Sequence, residues 1–307
     1  MLRGLKKSQT PLTHIDARAQ LLDLLREQYA PEPDAMLMIC PYGIGDIYLA
    51  CGLVSHVLKA RHRRTLSVLC GSRQTFIPPT FNKSYRATSI PEWVDIRLLK
   101  EAGPLPENFL YAHFQNQEVV NLIGYKGVTL LDAYRALLNL PLDIAFQHPQ
   151  LISAQDRHHV QHFFEEHQLD PKKTVVLAPE AVSVGEFDIK LWQTLAASLR
   201  EKGLNILLNS EKYRQAISHD ASVAALGLER VPAVAEVIHS FVALRSGLCD
   251  LLSGVDCRQI ILYPDVAWHG GTMFEATSLK AMGLSKTAHE IVVKDSASAI
   301  KQILKVL

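Results

Sequence analysis

From Thr174 to the C-terminus the chain alternates short apolar runs with helical stretches, and that alternation leaves few folds open. The apolar runs, at 174–178, 205–209, 241–244, 259–263 and 290–293, are too short for helices and read as strands. Between and after them the spacing predicts helices at 191–202, 234–239, 248–252, 275–282 and 296–306. Gly203, just past the first of these, is a helix stop signal. Strands joined through helices pair in parallel, because each crossover returns the chain to the same end of the sheet.

The first half opens with a unit of the same kind. Residues 18–30 have helical spacing, ended by Pro31 and Pro33. A short apolar run, 36–40, leads into Pro41-Tyr-Gly-Ile-Gly-Asp46. Residues 47–59 then place Leu49, Leu53, Val54 and Val57 on one helical face, and 66–70 is the next strand. The middle is less regular. Residues 76–106 carry five prolines, at 78, 79, 91, 104 and 106, with Gly103 among them, which predicts long loops. A strand at 109–114, a helix at 129–140 stopped by Pro141, a linker at 147–153 and a polar helix at 154–167 follow. A length of 307 residues accommodates two domains, expected at 1–152 and 153–307, both α/β and Rossmann-like.

Hydrophobic residues at 48% and charged residues at 21% describe folded domains and exclude disordered or low-complexity classes. Lys and Arg (32) balance Asp and Glu (31), so no global basic field exists to hold nucleic acid. The five cysteines, at 40, 51, 70, 249 and 257, are odd in number and form no C-x-x-C. They imply a reducing compartment without a disulfide framework or zinc knuckle. No apolar run approaches the roughly 20 residues that cross a bilayer. The basic N-terminal stretch 1–13 has no apolar core after it and does not read as a secretory signal. The expectation is a cytosolic protein. The basic cluster Lys59-Ala-Arg61-His-Arg63-Arg64 complements a helix dipole, with an anionic membrane surface or acceptor as its second reading.

Three loops carry residue types suited to chemistry. The first is Gly43-Ile-Gly45-Asp46, between a strand and a helix, where bare backbone and free N–H groups favour an anion. The full dinucleotide fingerprint is absent, because Tyr48 stands at its third glycine. Asp46 is then either the helix N-cap or a general base at the carboxyl end of the first strand. The second runs from Leu177 through Pro179, Glu180 and Ser183 to Lys190-Leu-Trp192. Lys190 at a helix entry can reach a phosphate or stand exposed, while Trp192 reads as core. The third, Arg245-Ser246-Gly247 with Asp250 just beyond, offers a guanidinium, a hydroxyl and bare backbone suited to a diphosphate. Its plainer reading is a helix cap with Arg245 paired to a surface acid. His158, His159 and His162 have metal-ligand spacing but lie on a polar helix, so a solvated face is expected. Cys249 has no histidine near it in sequence and is not read as a nucleophile.

In this order the three loops resemble the bacterial heptosyltransferase-like glycosyltransferases of family nine, which have the two-Rossmann-domain GT-B architecture, facing across a cleft. Gly43-Ile-Gly45-Asp46-Ile47 is similar to that family's G-D-(I/V) loop, which implies Asp46 as catalytic base. The Lys190-Leu-Trp192 segment resembles the K-x-W stretch whose Lys contacts donor phosphate, and Glu211 stands where a Glu holds the donor ribose. The resemblance thereby assigns donor binding to Gly45, Pro179, Glu180, Ser183, Lys190, Glu211, Arg245, Ser246, Gly247 and Asp250. The last four replace a D-(S/T)-G-x-x-H diphosphate turn. Arg245 and Asp250 depart from its Asp and His, and the turn looks more like that of fucosyltransferase-type GT-B enzymes.

The implied activity is inverting transfer of a hexosyl, heptosyl or fucosyl group in bacterial surface polysaccharide or lipopolysaccharide synthesis. The donor would be a nucleotide-diphosphate sugar, used as co-substrate with no cofactor, and the acceptor a glycan or lipid-linked glycan. Peripheral association with the inner membrane would follow from such an acceptor. No Asp-x-Asp metal motif occurs, so metal independence is expected. The resemblance also implies that the final helix returns to the first domain. A nucleotide-sugar epimerase on the same fold and a non-catalytic nucleotide- or glycan-binding module stay open as other readings.

Overall fold

In the computed structural model, which describes residues 14–100, 105–112, 124–217 and 223–307, α1 (His14–Tyr29) leads into β1 (Ala35–Cys40). All six residues of β1 are buried, as a strand covered on both faces requires, and Ala-Met-Leu-Met-Ile-Cys suits that place. α2 (Ile44–Ala60) crosses over to β2 (Thr65–Cys70), which pairs with β1 in parallel from Ala35↔Thr65 to Cys40↔Cys70. α3 (Ile77–Phe81), β3 (Tyr85–Ser89), α4 (Ile96–Lys100), β4 (Phe109–Tyr111) and α5 (Leu130–Leu137) complete the first half. The resulting four-stranded sheet has the order β3-β2-β1-β4.

The second half begins with α6 (Ala154–Glu166) and β5 (Thr174–Ala178) and continues through α7 (Ile189–Glu201), β6 (Asn205–Leu208), α8 (Arg214–Ile217) and α9 (Val231–Val237). β7 (Ser240–Leu244), α10 (Gly247–Leu252), β8 (Gln259–Pro264) and a small hairpin, β9 (Ala267–Trp268) with β10 (Gly271–Thr272), follow. α11 (Met273–Thr277), β11 (His289–Val293) and α12 (Ser296–Val306) end the chain. The five-stranded sheet has the order β11-β8-β7-β5-β6, with every pair parallel.

Several elements differ from the sequence reading, each for a physical reason. The proline-rich stretch contains α3 and β3. Pro78 stands in the first turn of α3, where its missing N–H has no partner to lose. β3 is an edge strand with only Tyr85 buried, so it carries no apolar run to announce it. The predicted strand 109–114 ends at Tyr111, and its last two residues lie outside the described ones, as does the N-terminal stretch 1–13. The helix predicted at 275–282 stops at Thr277, because Glu290 draws the Ser278 hydroxyl and the Leu279 N–H to itself. Among the described residues the final helix packs on the second half and not on the first. Ala299, Ile300 and Ile303 of α12 pack with Leu195 and Leu199 of α7 and Ile291 of β11, so its apolar stripe is spent on the second sheet.

The two halves share one core, in which α2 packs on α10. The connecting segment lies along α2. Phe146 covers Gly52, where any Cβ would overlap its ring, and the Gln147 N–H donates to the Gly52 carbonyl at 3.0 Å. The Tyr48 hydroxyl hydrogen-bonds His148 Nδ1 at 2.9 Å and Ser253 Oγ at 3.2 Å. One phenol of α2 thus joins the connecting segment to the residue that ends α10.

Candidate active site

In a parallel sheet whose strand order reverses, the loops at the reversal diverge and leave a crevice at the carboxyl ends of the strands. The first sheet reverses between β1 and β4, and the second between β5 and β7. The loops after β1, β5 and β7 are the three that the sequence singles out.

Asp46 sits in the first turn of α2. Its Oδ2 accepts from the Gly43 N–H at 3.0 Å, and its Oδ1 accepts from the Tyr134 hydroxyl at 2.6 Å. Gly43 occupies the cap position and Asp46 reaches back to it, so Asp46 is not the N-cap itself. Burial pushes the Asp46 carboxyl above its usual range. The Tyr134 hydroxyl, the Gly43 N–H and the charge of Arg245 oppose that rise. A carboxylate with raised proton affinity at the mouth of a parallel sheet suits general-base work.

The opposite wall is the turn before α10. Ser246 is its cap residue and Gly247 its first helical one. Gly247 lies directly on the backbone of Gly45, where a Cβ on Gly247 would overlap the Gly45 nitrogen. A Cβ on Gly45 would stand 2.6 Å from Asp250 Oδ2 and 3.1 Å from Gly247 Cα. Two glycines are therefore what lets the walls meet. Gly247→Ala is expected to destabilise the protein by about 1–3 kcal/mol, since both neighbours are main chain and cannot swing aside. Gly185→Ala, with nothing within 4 Å of its Cβ, is expected to stay within about 0.5 kcal/mol of the parent. Urea unfolding of both variants measures the difference.

Arg245 and Asp250 do not present themselves to a ligand as expected. Arg245 is 3% exposed. Its Nη1 and Nη2 donate to Asp250 Oδ2 at 2.9 Å and Oδ1 at 2.7 Å, and its Nε donates to the Thr277 carbonyl at 2.9 Å. Nη1 also donates to the Ser246 carbonyl at 2.5 Å. A guanidinium this deep needs a carboxylate, and the one that meets it is buried Asp250 rather than a surface acid. The pair braces the turn from behind.

The remaining expected residues lie on the β5 and β6 loops. Pro179 is buried, Glu180 half-buried and Ser183 exposed. Lys190 is exposed in the first turn of α7, which Asp188 caps through the Lys190 N–H at 2.9 Å. Glu211 is exposed and lies 3.8 Å from Arg214. The structure thus brings Gly45, Asp46, Ser246, Gly247, Arg245 and Asp250 together. It sets Glu180, Ser183, Lys190 and Glu211 along the second sheet's loops.

Three features are absent from the sequence reading. Tyr134 holds Asp46, and nothing in sequence marks it beyond a tyrosine inside an apolar helix. Glu186 ties the β5 loop to the β6 loop, accepting from Lys212 Nζ at 2.9 and 2.8 Å and from the Tyr213 hydroxyl. Tyr125 stacks on Trp268 at 5.1 Å between centroids, and its N–H donates to the His269 carbonyl at 3.0 Å, a second bridge between the halves.

None of the discounted features is a ligand or nucleophile here, although Cys249 lies on α10 beside the turn. His158 and His162 are exposed on α6. The Cys249 thiol is buried against the Leu244 carbonyl and pushed up to about 11 by burial. Arg61 donates to the Glu107 carbonyl at 2.5 Å and Arg64 lies 4.0 Å from Asp34, tying the end of α2 to the segments that lead into β4 and β1. Among the described residues no helix is long and apolar enough to cross a membrane.

Two parallel α/β sheets whose carboxyl-end loops meet at one crevice are the GT-B arrangement. The chain shares this fold with the ADP-heptose lipopolysaccharide heptosyltransferase II of E. coli, at a TM-score of 0.61 and 13% identity over 89% of this chain and 98% of that one. It is similar in fold to a family 9 glycosyl transferase of Veillonella parvula (TM-score 0.57, 13% identity, 88% and 90% covered). The E. coli heptosyltransferase WaaC, solved with ADP, is a third (TM-score 0.53, 13% identity, 88% and 99% covered). No protein-family model and no curated protein matches the sequence. The resemblance to family nine is thus carried by the fold.

Proposed function

We propose that the protein is an inverting glycosyltransferase that moves a sugar from a nucleotide-diphosphate donor to a hydroxyl of a glycan or lipid-linked glycan. The observation that carries this reading is Asp46, held by two donors with raised proton affinity and set against the turn of the opposite wall. Asp46 takes the proton of the acceptor hydroxyl. The hydroxyl oxygen forms its bond to the anomeric carbon as the carbon–oxygen bond to the diphosphate breaks on the opposite face. The diphosphate leaves with the bonding pair, and its charge is met by Lys190 and the turn at Ser246 and Gly247, with Arg245 stiffening that turn through Asp250. Glu180, Ser183 and Glu211, with Pro179 shaping the loop, are assigned to the nucleoside and sugar. A heptosyl donor is favoured, because one structural neighbour is a heptosyltransferase solved with an ADP-heptose analogue. A lipid-linked acceptor would bring the protein to the inner-membrane surface.

The test follows nucleotide release from ADP-heptose, GDP-fucose and UDP-hexose, with and without core oligosaccharide acceptors. Release that requires an acceptor supports transfer. Conversion of the donor with no acceptor present points to an epimerase, and a thermal shift without any turnover points to a binding module. Because the chain has no Asp-x-Asp motif, the reaction is expected to proceed unchanged in excess EDTA; loss of turnover on chelation, restored by Mg²⁺ or Mn²⁺, contradicts the metal-free mechanism.

A further inference from the structure

Tyr134 lies 88 residues from Asp46 in sequence and has no exposed surface. Its hydroxyl reaches Asp46 Oδ1 at 2.6 Å, the separation of a charge-assisted O–H···O bond. The helix that delivers it packs on α2 and also has ties of its own. Thr129 and Asp132 close a capping box at the start of α5. Arg135 then ties Asp132, at 2.8 Å, to the Ile144 carbonyl, at 2.9 Å. Burial, with the Asp46 charge beside it, holds the Tyr134 phenol protonated far above its usual range. It is therefore a permanent donor and does not relay protons as a base. A carboxylate has about four acceptor sites, so these two donors leave others for a substrate hydroxyl.

We propose that Tyr134 is the positioning residue for Asp46: with the Gly43 N–H it fixes the plane of the carboxylate and donates to its charged form. The catalytic meaning of this role rests on the base proposed above, while the ionisation itself is measurable without turnover.

The experiment titrates Asp46 by NMR in protein carrying ¹³C-labelled aspartate carboxyls, with Asp46→Asn identifying the signal. In Tyr134→Phe the midpoint is expected to rise by about one to two pH units, as loss of a hydrogen bond to a charged group requires. With 3-fluorotyrosine at position 134, which has nearly the same shape and is a stronger donor, the midpoint is expected to fall. A midpoint unmoved by these changes overturns the proposal. If Tyr134→Phe does not fold, the fluorotyrosine protein decides alone. Where turnover is measurable, the acid limb of kcat/KM, which reports the free enzyme, moves with the NMR midpoint, whereas a merely structural tyrosine lowers Tm and moves neither. Midpoints that shift as expected in a protein that transfers no sugar leave the Tyr134–Asp46 coupling standing and remove the transferase reading.

Discussion

Asp46→Asn is expected to lower turnover by about 10²–10⁴-fold, the usual contribution of a positioned general base. The amide keeps the size of the carboxylate but cannot take a proton from an acceptor hydroxyl. It has one acceptor oxygen for the two donors, Gly43 N–H and Tyr134 hydroxyl, so one of them loses its partner. That loss costs about 1–3 kcal/mol of stability, which leaves a folded protein. Donor binding, read as a thermal shift, is expected to persist. The pH dependence has a definite sign. The base works only when ionised, and burial raises its proton affinity, so turnover in the parent falls as pH drops through a value above the ordinary carboxylate range. The variant's residual rate has no such limb. A variant that keeps parental turnover would reduce Asp46 to the partner of a helix cap.

Arg245→Met is expected to cost about 3–5 kcal/mol, because it strands the Asp250 carboxylate inside the protein. Asp250 has lost the guanidinium that opposed its burial, so in the folded variant it binds a proton more tightly than in the unfolded chain. Between those two affinities the folded state holds more protons than the unfolded state, so stability falls as pH rises. The deficit is therefore larger at pH 8 than at pH 5. Pairing Arg245→Met with Asp250→Leu removes the stranded charge and is expected to recover part of the loss, with the pH dependence gone. Guanidinium chloride unfolding of the three proteins at both pH values gives the answer. A single variant that loses under 1 kcal/mol would mean that the pair does not brace the turn.

The parts of the fold that were legible are those where burial imposes a pattern. β5 and α12 begin and end where the sequence predicts, because a strand covered on both faces must be apolar throughout and an amphipathic helix must repeat. β3 was not legible, since an exposed edge strand is under neither demand. The three loops at the site were found because glycine, proline and charge at strand ends are local signals. What those residues touch was less accessible. Arg245 and Asp250 stand five apart in sequence and both were singled out, yet whether they face a ligand or each other depends on how deeply the turn is packed. Tyr134 meets Asp46 only through the placement of α5 against α2, which no local pattern encodes. Likewise the bond from Glu186 to Lys212 exists because β5 and β6 are adjacent in the sheet.

Where Gly45 meets Gly247, main chain rests on main chain and no side chain serves as a spacer. At that point the separation is set by main-chain radii, as in a butt joint without a shim. Changes in the flanking loops can alter what the crevice admits, but they leave this main-chain contact between the two halves untouched.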